Sequence, residues 1–202
     1  MFHYISSSVV DSVVPANLRG PNNEWVAIAK RSRVMYYNPL AVSADEMENL
    51  AYEDLADAKW IGRIAIRSSG NMYNQSLVSS LISNNGVAET EAWAHRFVGN
   101  FARKPEGNDR AQIMAVANGE ADIAIANSYY IGLMLSGKKG DEQRAAARKV
   151  NLHFPSQAGR GAHINVSGVG LMKNSHNKAC LLYTSDAADE GLGVDLCGSR
   201  II

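Results

Sequence analysis

The chain has only two cysteines, Cys180 and Cys197, so neither a disulfide framework nor a cysteine-rich metal site organises its first 179 residues. No apolar run approaches the roughly 20 residues that span a bilayer. The start, Met1-Phe-His-Tyr-Ile, lacks the basic residues and apolar stretch of a secretory signal. Net charge is +0, which gives no electrostatic footprint for nucleic acid or an anionic membrane surface. Gly-x-Ser-x-Gly, a phosphate-binding glycine loop and a Cys–His nucleophile arrangement are all missing, and with them the usual signs of hydrolase or nucleotide chemistry. His95, His153, His163 and His176 lie without ligand spacing and read as solvated or capped.

What is present is an ordinary globular composition, 46% hydrophobic and 20% charged over 202 residues, enough for one domain or two small lobes. The chain turns on Asp122-Ile-Ala-Ile-Ala-Asn-Ser-Tyr-Tyr130. Asp122 to Ala126 reads as a short buried strand, and Asn127-Ser128 as the cap of a helix opening at Tyr129. Two phenols at a strand's carboxyl end and a helix N-terminus sit where open α/β sheets bind ligands, and the helix dipole there favours phenolate. A phenol with an ordinary pKa of about 10 needs a strong cation to ionise at neutral pH. The residues alone leave two readings: Tyr129 and Tyr130 as hard donors to a highly charged metal, ferric iron first, or one packed and one hydrogen-bonded at the surface.

Before that stretch, Trp25–Ala29 and Arg33–Asn38 read as two strands around a basic turn, Lys30-Arg-Ser-Arg33. Leu50–Trp60 reads as a short helix followed by a turn, and Arg63–Ile66 as a strand. Helical patterns run from about Asn71 to Ser83, with Leu77, Leu81 and Ile82 on one side, and from about Ala88 to Phe101, with Trp93, Phe97 and Val98 placed for burial. Asn108 or Asp109 caps the next helix, which stops at Gly119. As acid–base candidates Asp109 and Asp122 are weak, since capping and strand-end hydrogen bonding account for them. A helix over about Asp141–Lys149 and strands at Val150–Phe154 and His163–Met172 follow. Strands alternating with helices argue for an α/β fold with a largely parallel sheet.

The ending changes character. Cys180 to Glu190 back-translates, codon for codon, to a widely used transposase sequencing adapter. Val194 to Ile202 matches its continuation, with one-base changes at Cys197 and Ser199. Residues 180–202 are therefore expected to be read-through, with both cysteines unpaired. Without them the balance is 19 basic against 16 acidic residues, +3, which leaves the view on partners unchanged.

A family resemblance then enters on a set of motifs in order. They are Val14-Pro-Ala-Asn-Leu-Arg19, Lys30-Arg-Ser-Arg-Val34, Tyr52-Glu-Asp-Leu-Ala-Asp57, Trp60-Ile-Gly-Arg-Ile64, Arg67-Ser-Ser-Gly-Asn-Met-Tyr-Asn-Gln75, Gly107-Asn-Asp-Arg110 and Asn127-Ser-Tyr-Tyr130. Over about residues 6–179 the chain resembles the periplasmic ferric-iron-binding proteins that feed ABC importers, in the subgroup that holds iron mainly through tyrosines. The resemblance implies a type II periplasmic-binding-protein-like fold and Fe(3+) held by Tyr73, Tyr129 and Tyr130, the first two 56 positions apart. It implies Arg33 as a nearby basic residue that balances phenolate charge. Asn127, Ser69 and Gly70 become groups that orient the tyrosines or receive a synergistic anion; a helix cap and a turn explain them equally well.

The partners implied are ferric iron and the importer's membrane permease, for a periplasmic monomer with no catalysis and no nucleic acid. A carrier of a small organic or anionic solute on the same fold is the alternative, and an enzyme using the same cleft a remoter one. His3-Tyr4 imitates the family's first-lobe ligand pair, but Tyr4 lies only 69 positions before Tyr73, too near. The expectation is a fragment lacking most of the first lobe, its signal peptide and everything after about Ala179. Residues 1–37 would be a first-lobe remnant with a hinge strand, 38–154 one nearly complete lobe with a mixed, largely parallel sheet, and 155–179 the return crossover.

Overall fold

A computed structural model of the chain describes residues 2–174. In chain order the elements are β1 (Phe2–His3), α1 (Ser8–Val13), β2 (Val26–Tyr37), α2 (Ala44–Met47), β3 (Ile64–Ala65), α3 (Met72–Asn85), α4 (Val87–Gly99), α5 (Asp109–Ala117), β4 (Ile123–Asn127), α6 (Tyr129–Leu135), α7 (Asp141–Ala147), β5 (Asn151–His153), β6 (Ile164–Val169) and β7 (Leu171–Met172). The expected read-through at 180–202 and its cysteines lie outside the described residues.

Two compact units emerge, residues 2–31 with 166–174, and residues 32–165. Their borders fall within β2 and at the start of β6, earlier and later respectively than positions 38 and 154. In the smaller unit β1 pairs antiparallel with β7, Phe2 opposite Met172. Gly168 is required there, because a Cβ would come within 2.8 Å of the Trp25 ring.

The larger unit holds a mixed sheet in the order β3-β4-β2-β5, with β6 also on β2. Strand β2 runs antiparallel to β4 and β5, whereas β3 and β4 pair in parallel and a parallel bridge joins Ile64 to Phe101. The α/β class and the mixed sheet agree with expectation, while the parallel share is small. All five residues of β4 are buried. Ile123 and Ile125 join a core with Met35, Trp60, Leu81 and Phe97. Ala124 and Ala126, pointing the other way by the strand's two-residue period, are small enough for α5 to pack close on the strand.

Three local expectations are corrected. The supposed turn at Lys30–Arg33 is part of one continuous strand of 12 residues. It contains no Gly, Pro or Asn, and Ser32 and Arg33 are buried, so a basic run was mistaken for solvent exposure. Leu50–Trp60 forms two 3-10 turns, Glu53–Ala56 and Ala58–Trp60, because Asp57 takes extended backbone and its carboxylate accepts from the Lys59 amide. Ile82 and Val98 are 39% and 59% exposed. The stripes that face the core are Leu77/Leu81 and Trp93/Phe97, four residues apart, and each exposed residue sits one position further round its helix.

Candidate metal centre

At the end of β4 the chain turns directly into α6. The expected side-chain cap is absent: Ser128 has helical backbone and makes no capping bond, and the Asn127 side chain points inward. The turn is held from beneath by the buried Tyr36 hydroxyl, which donates to the carbonyl oxygens of Asn127 (3.0 Å) and Ser128 (3.1 Å). Tyr129 and Tyr130 follow as neighbours, their ring centroids 4.2 Å apart at 31°. Tyr129 is 40% exposed and Tyr130 half-buried.

The Tyr129 phenol is pushed up to about 12, first by burial, then by its hydrogen bond to Tyr130 and the charge of Tyr130; the Asn127 side chain acts in the opposite direction. A helix of 7 residues does not outweigh these effects, so the dipole alone does not produce a phenolate. Ionisation of this phenol at neutral pH calls for a cation.

Tyr73 lies half-buried in the first turn of α3, where the Asn71 side chain caps by accepting from the Tyr73 amide (3.1 Å). The next residue, Asn74, faces the interior. Its Nδ2 donates to the carbonyls of Arg67 (2.8 Å) and Ser68 (3.2 Å), and its Oδ1 accepts from Arg33 (2.6 Å). Ser69 and Gly70 are exposed in the loop before α3, and a Cβ on Gly70 would meet only Ser68 Oγ at 3.7 Å.

Arg33 is wholly buried and joins the two tyrosine-bearing segments. Its Nη2 donates to Asn74 and to the Ile125 carbonyl (3.3 Å); its Nη1 donates to Asp109 (2.8 Å) and to Asn127 Oδ1 (3.1 Å). One guanidinium thus links the residue after Tyr73 to the residue two before Tyr129. Burial pulls the Arg33 pKa down, and Asp109 pulls it back up. The charge anticipated as a free balance for phenolates is met by Asp109, itself wholly buried and shared with Arg67 Nη1 at 3.1 Å. Two guanidiniums against one carboxylate leave this cluster with one net positive charge.

The inward role of Asp109 was missed. Asn108 is the cap, its Oδ1 accepting from the Ala111 amide at 3.2 Å, while the Asp109 carboxylate turns inward and also accepts from the Asn127 amide at 2.8 Å. Two capping-type residues in succession, of which a helix uses one, were the available signal. Asp122 pairs with Arg63 at the far end of β4. Nor is His163 solvated: its Nε2 meets Ser76 Oγ at 3.0 Å, and its pKa is held down to about 4 by burial and by the charges of Arg33 and Arg160. His153 bonds to the Leu50 carbonyl, His95 is exposed, and His176 is outside the described residues. Among the described residues no three His, Cys, Asp or Glu side chains converge as a metal site.

The α/β fold is of the type II periplasmic-binding-protein-like class, as comparison with solved structures shows. The chain is 49% identical over 178 residues to iron uptake protein A1 of Synechocystis sp., covering 88% of itself and 49% of that protein. To the Fe(3+)-binding periplasmic protein of Serratia marcescens it is 29% identical over 178 residues, covering 88% of itself and 50% of the relative. A Trichodesmium protein (IdiA, FutA) solved in complex with iron and citrate ligands superposes with a TM-score of 0.83 at 49% identity, over 91% of this chain and 58% of that one. No protein-family profile matches. The chain is similar to these proteins, and it spans about half the length of the curated relatives it matches.

Proposed function

We propose that the chain is one lobe of an extracytoplasmic carrier that binds ferric iron through the phenolates of Tyr73, Tyr129 and Tyr130 and hands it to the permease of an ABC importer. The observation that carries this reading is the joining of both tyrosine segments by the buried Arg33, in a chain 49% identical to an iron uptake protein. Three phenolates neutralise the three charges of the ion, and hard oxygen donors select a hard cation. The phenol of Tyr129, at about 12 without a cation, loses its proton as the metal binds, so loading releases protons and strengthens with pH. Ser69 and Gly70, exposed before α3, line the approach for an accompanying anion. The carrier acts in the periplasm, as a monomer and without catalysis.

Equilibrium dialysis against ferric nitrilotriacetate, with gallium(III) and zinc(II) as competitors, tests this. The expected result is one iron per chain, displaced by gallium but not by zinc, and lost when Tyr73, Tyr129 and Tyr130 are all changed to Phe. Undiminished iron in that triple variant, or displacement by zinc, would overturn the reading. Adding the remaining lobe of a full-length relative should strengthen binding by orders of magnitude, because three phenolates leave coordination positions open to water.

A further inference from the structure

A pocket of about 720 Å³ opens between α3, α4 and the segment 101–105. That is within the usual size of a small-molecule site, roughly 300–1,000 Å³. None of Tyr73, Tyr129 and Tyr130 lines it, and Ser69 is the one residue it shares with the anion approach described above. Val78, in its wall, lies roughly 140° round α3 from Tyr73 at about 100° per residue. The wall is chemically divided. Trp93 and Phe97 stack with ring centroids 4.6 Å apart, and Phe101 meets Phe97 edge-on at 5.0 Å. Leu77 and Val78 face the same space from α3. The charged lining is of one sign: Arg67 and Lys104 contribute to it and, among the described residues, no Asp or Glu does. The parallel bridge between Ile64 and Phe101 sets two segments side by side, and the two cations stand three residues further along each. Arg67 donates to Asp109 at 3.1 Å, but that carboxylate is shared with Arg33, so the cluster stays positive. Lys104 is exposed and forms no ion pair among the described residues.

We propose that this pocket is a second binding site, for a small carboxylate with a body of one or two aromatic rings. The rings lie against Trp93, Phe97 and Phe101, and the carboxylate lies between Arg67 and Lys104. Two cations without an acid select an anion, and the guanidinium fork matches the two oxygens of a carboxylate. The Ser68 hydroxyl, which accepts from the Gly70 amide at 3.2 Å, keeps its own proton to donate to the same group. Three rings in contact favour a flat guest over a flexible chain. Ring-on-ring contact adds to the burial of area, and a rigid guest loses less conformational freedom on binding. The site stands apart from the iron reading, because its occupancy requires neither the metal nor an ionised tyrosine.

Isothermal titration calorimetry of the metal-free, full 202-residue chain with 2-naphthoate tests this. The comparison ligands are 2-naphthylmethanol, which keeps the rings and lacks the charge, and octanoate, which keeps the charge and lacks the rings. The expected result is one 2-naphthoate per chain, with both comparison ligands weaker by roughly tenfold or more. Lys104→Gln, at an exposed position, should weaken 2-naphthoate by roughly three- to tenfold. Ala94→Phe places a ring inside the pocket and should abolish binding while the chain still melts cooperatively. Lys104→Gln decides if Ala94→Phe does not fold. Absence of 2-naphthoate binding, or undiminished binding in Lys104→Gln or in folded Ala94→Phe, would overturn the proposal. Equal binding of 2-naphthylmethanol would reduce the pocket to an apolar face, and equal binding of octanoate would remove the role of the rings; either result overturns the ligand class proposed. No iron enters the titration, so its failure leaves the iron reading where it stands.

Discussion

The two ends of β4 each carry an arginine–aspartate pair, and the pairs differ in surroundings. At the entry, Arg63 Nε meets Asp122 at 2.5 Å with side chains 27% and 25% exposed; at the exit, Arg33 meets Asp109 at 2.8 Å with both at 0%. The entry pair stands beside ordinary strand pairing, with the Asp122 amide donating to the Arg63 carbonyl, and stacks its arginine over Trp60 at 4.9 Å. The exit pair binds Asn74, Asn127, Arg67 and the Ile125 carbonyl, every one of them in or beside a tyrosine-bearing segment or the strand leading to it. Wet pairs contribute little net energy, whereas dry pairs are costly to form and more costly to break. A dry pair is tolerated where it sets geometry, and here it joins the two tyrosine-bearing segments.

The largest difference is expected when one carboxylate is removed at each end. Asp109→Asn strands the buried guanidinium and should cost roughly 3–5 kcal/mol. Asp122→Asn should cost about 1 kcal/mol or less. Urea denaturation followed by circular dichroism reads both, and equal losses would remove the distinction between the ends.

A smaller effect comes from His163, which sits by the exit pair and has no counterpart at the entry. Its folded pKa, about 4, lies below the ordinary 6.5. The unfolded chain therefore takes up the proton first on acidification. The neutral imidazole's contribution is fully present above about 6.5 and is lost as pH falls toward 4, on the order of 2–3 kcal/mol. His163→Gln, which retains a polar partner for Ser76, should flatten that part of the stability–pH curve; an unchanged curve would show that His163 is not the responsible group.

The smallest effect separates two adjacent residues. Asn108→Ala removes only the cap of α5 and should cost about 1 kcal/mol, well below Asp109→Asn in the same denaturation experiment. A cost for Asn108→Ala as large as for Asp109→Asn would mean that both residues serve the helix end alike.

Much of this architecture was legible in the chain. The run from Asp122 to Ala126 announced a buried strand, found at Ile123–Asn127. Leu77, Leu81, Trp93 and Phe97 showed their helical spacing and are buried. What was not legible depends on contacts distant in sequence. Asp109 looks like a cap until Arg33, 76 positions away, is seen to meet it. Arg33 itself looked like part of a basic turn, because a charge is read as solvated unless its partner is known. Asn127 matched the chemistry of a helix cap equally well, and only the buried guanidinium decides which way its side chain faces.

Resonance Raman spectroscopy of the ferric-loaded chain, excited within its visible band, tests the central claim most directly. Phenolate ring vibrations should dominate the spectrum of wild type, weaken in Tyr129→Phe and in Tyr130→Phe, and vanish when Tyr73 is changed to Phe as well. A coloured, iron-loaded chain whose spectrum lacks phenolate modes, or keeps them in the triple variant, would contradict the assignment of these three tyrosines as the iron site.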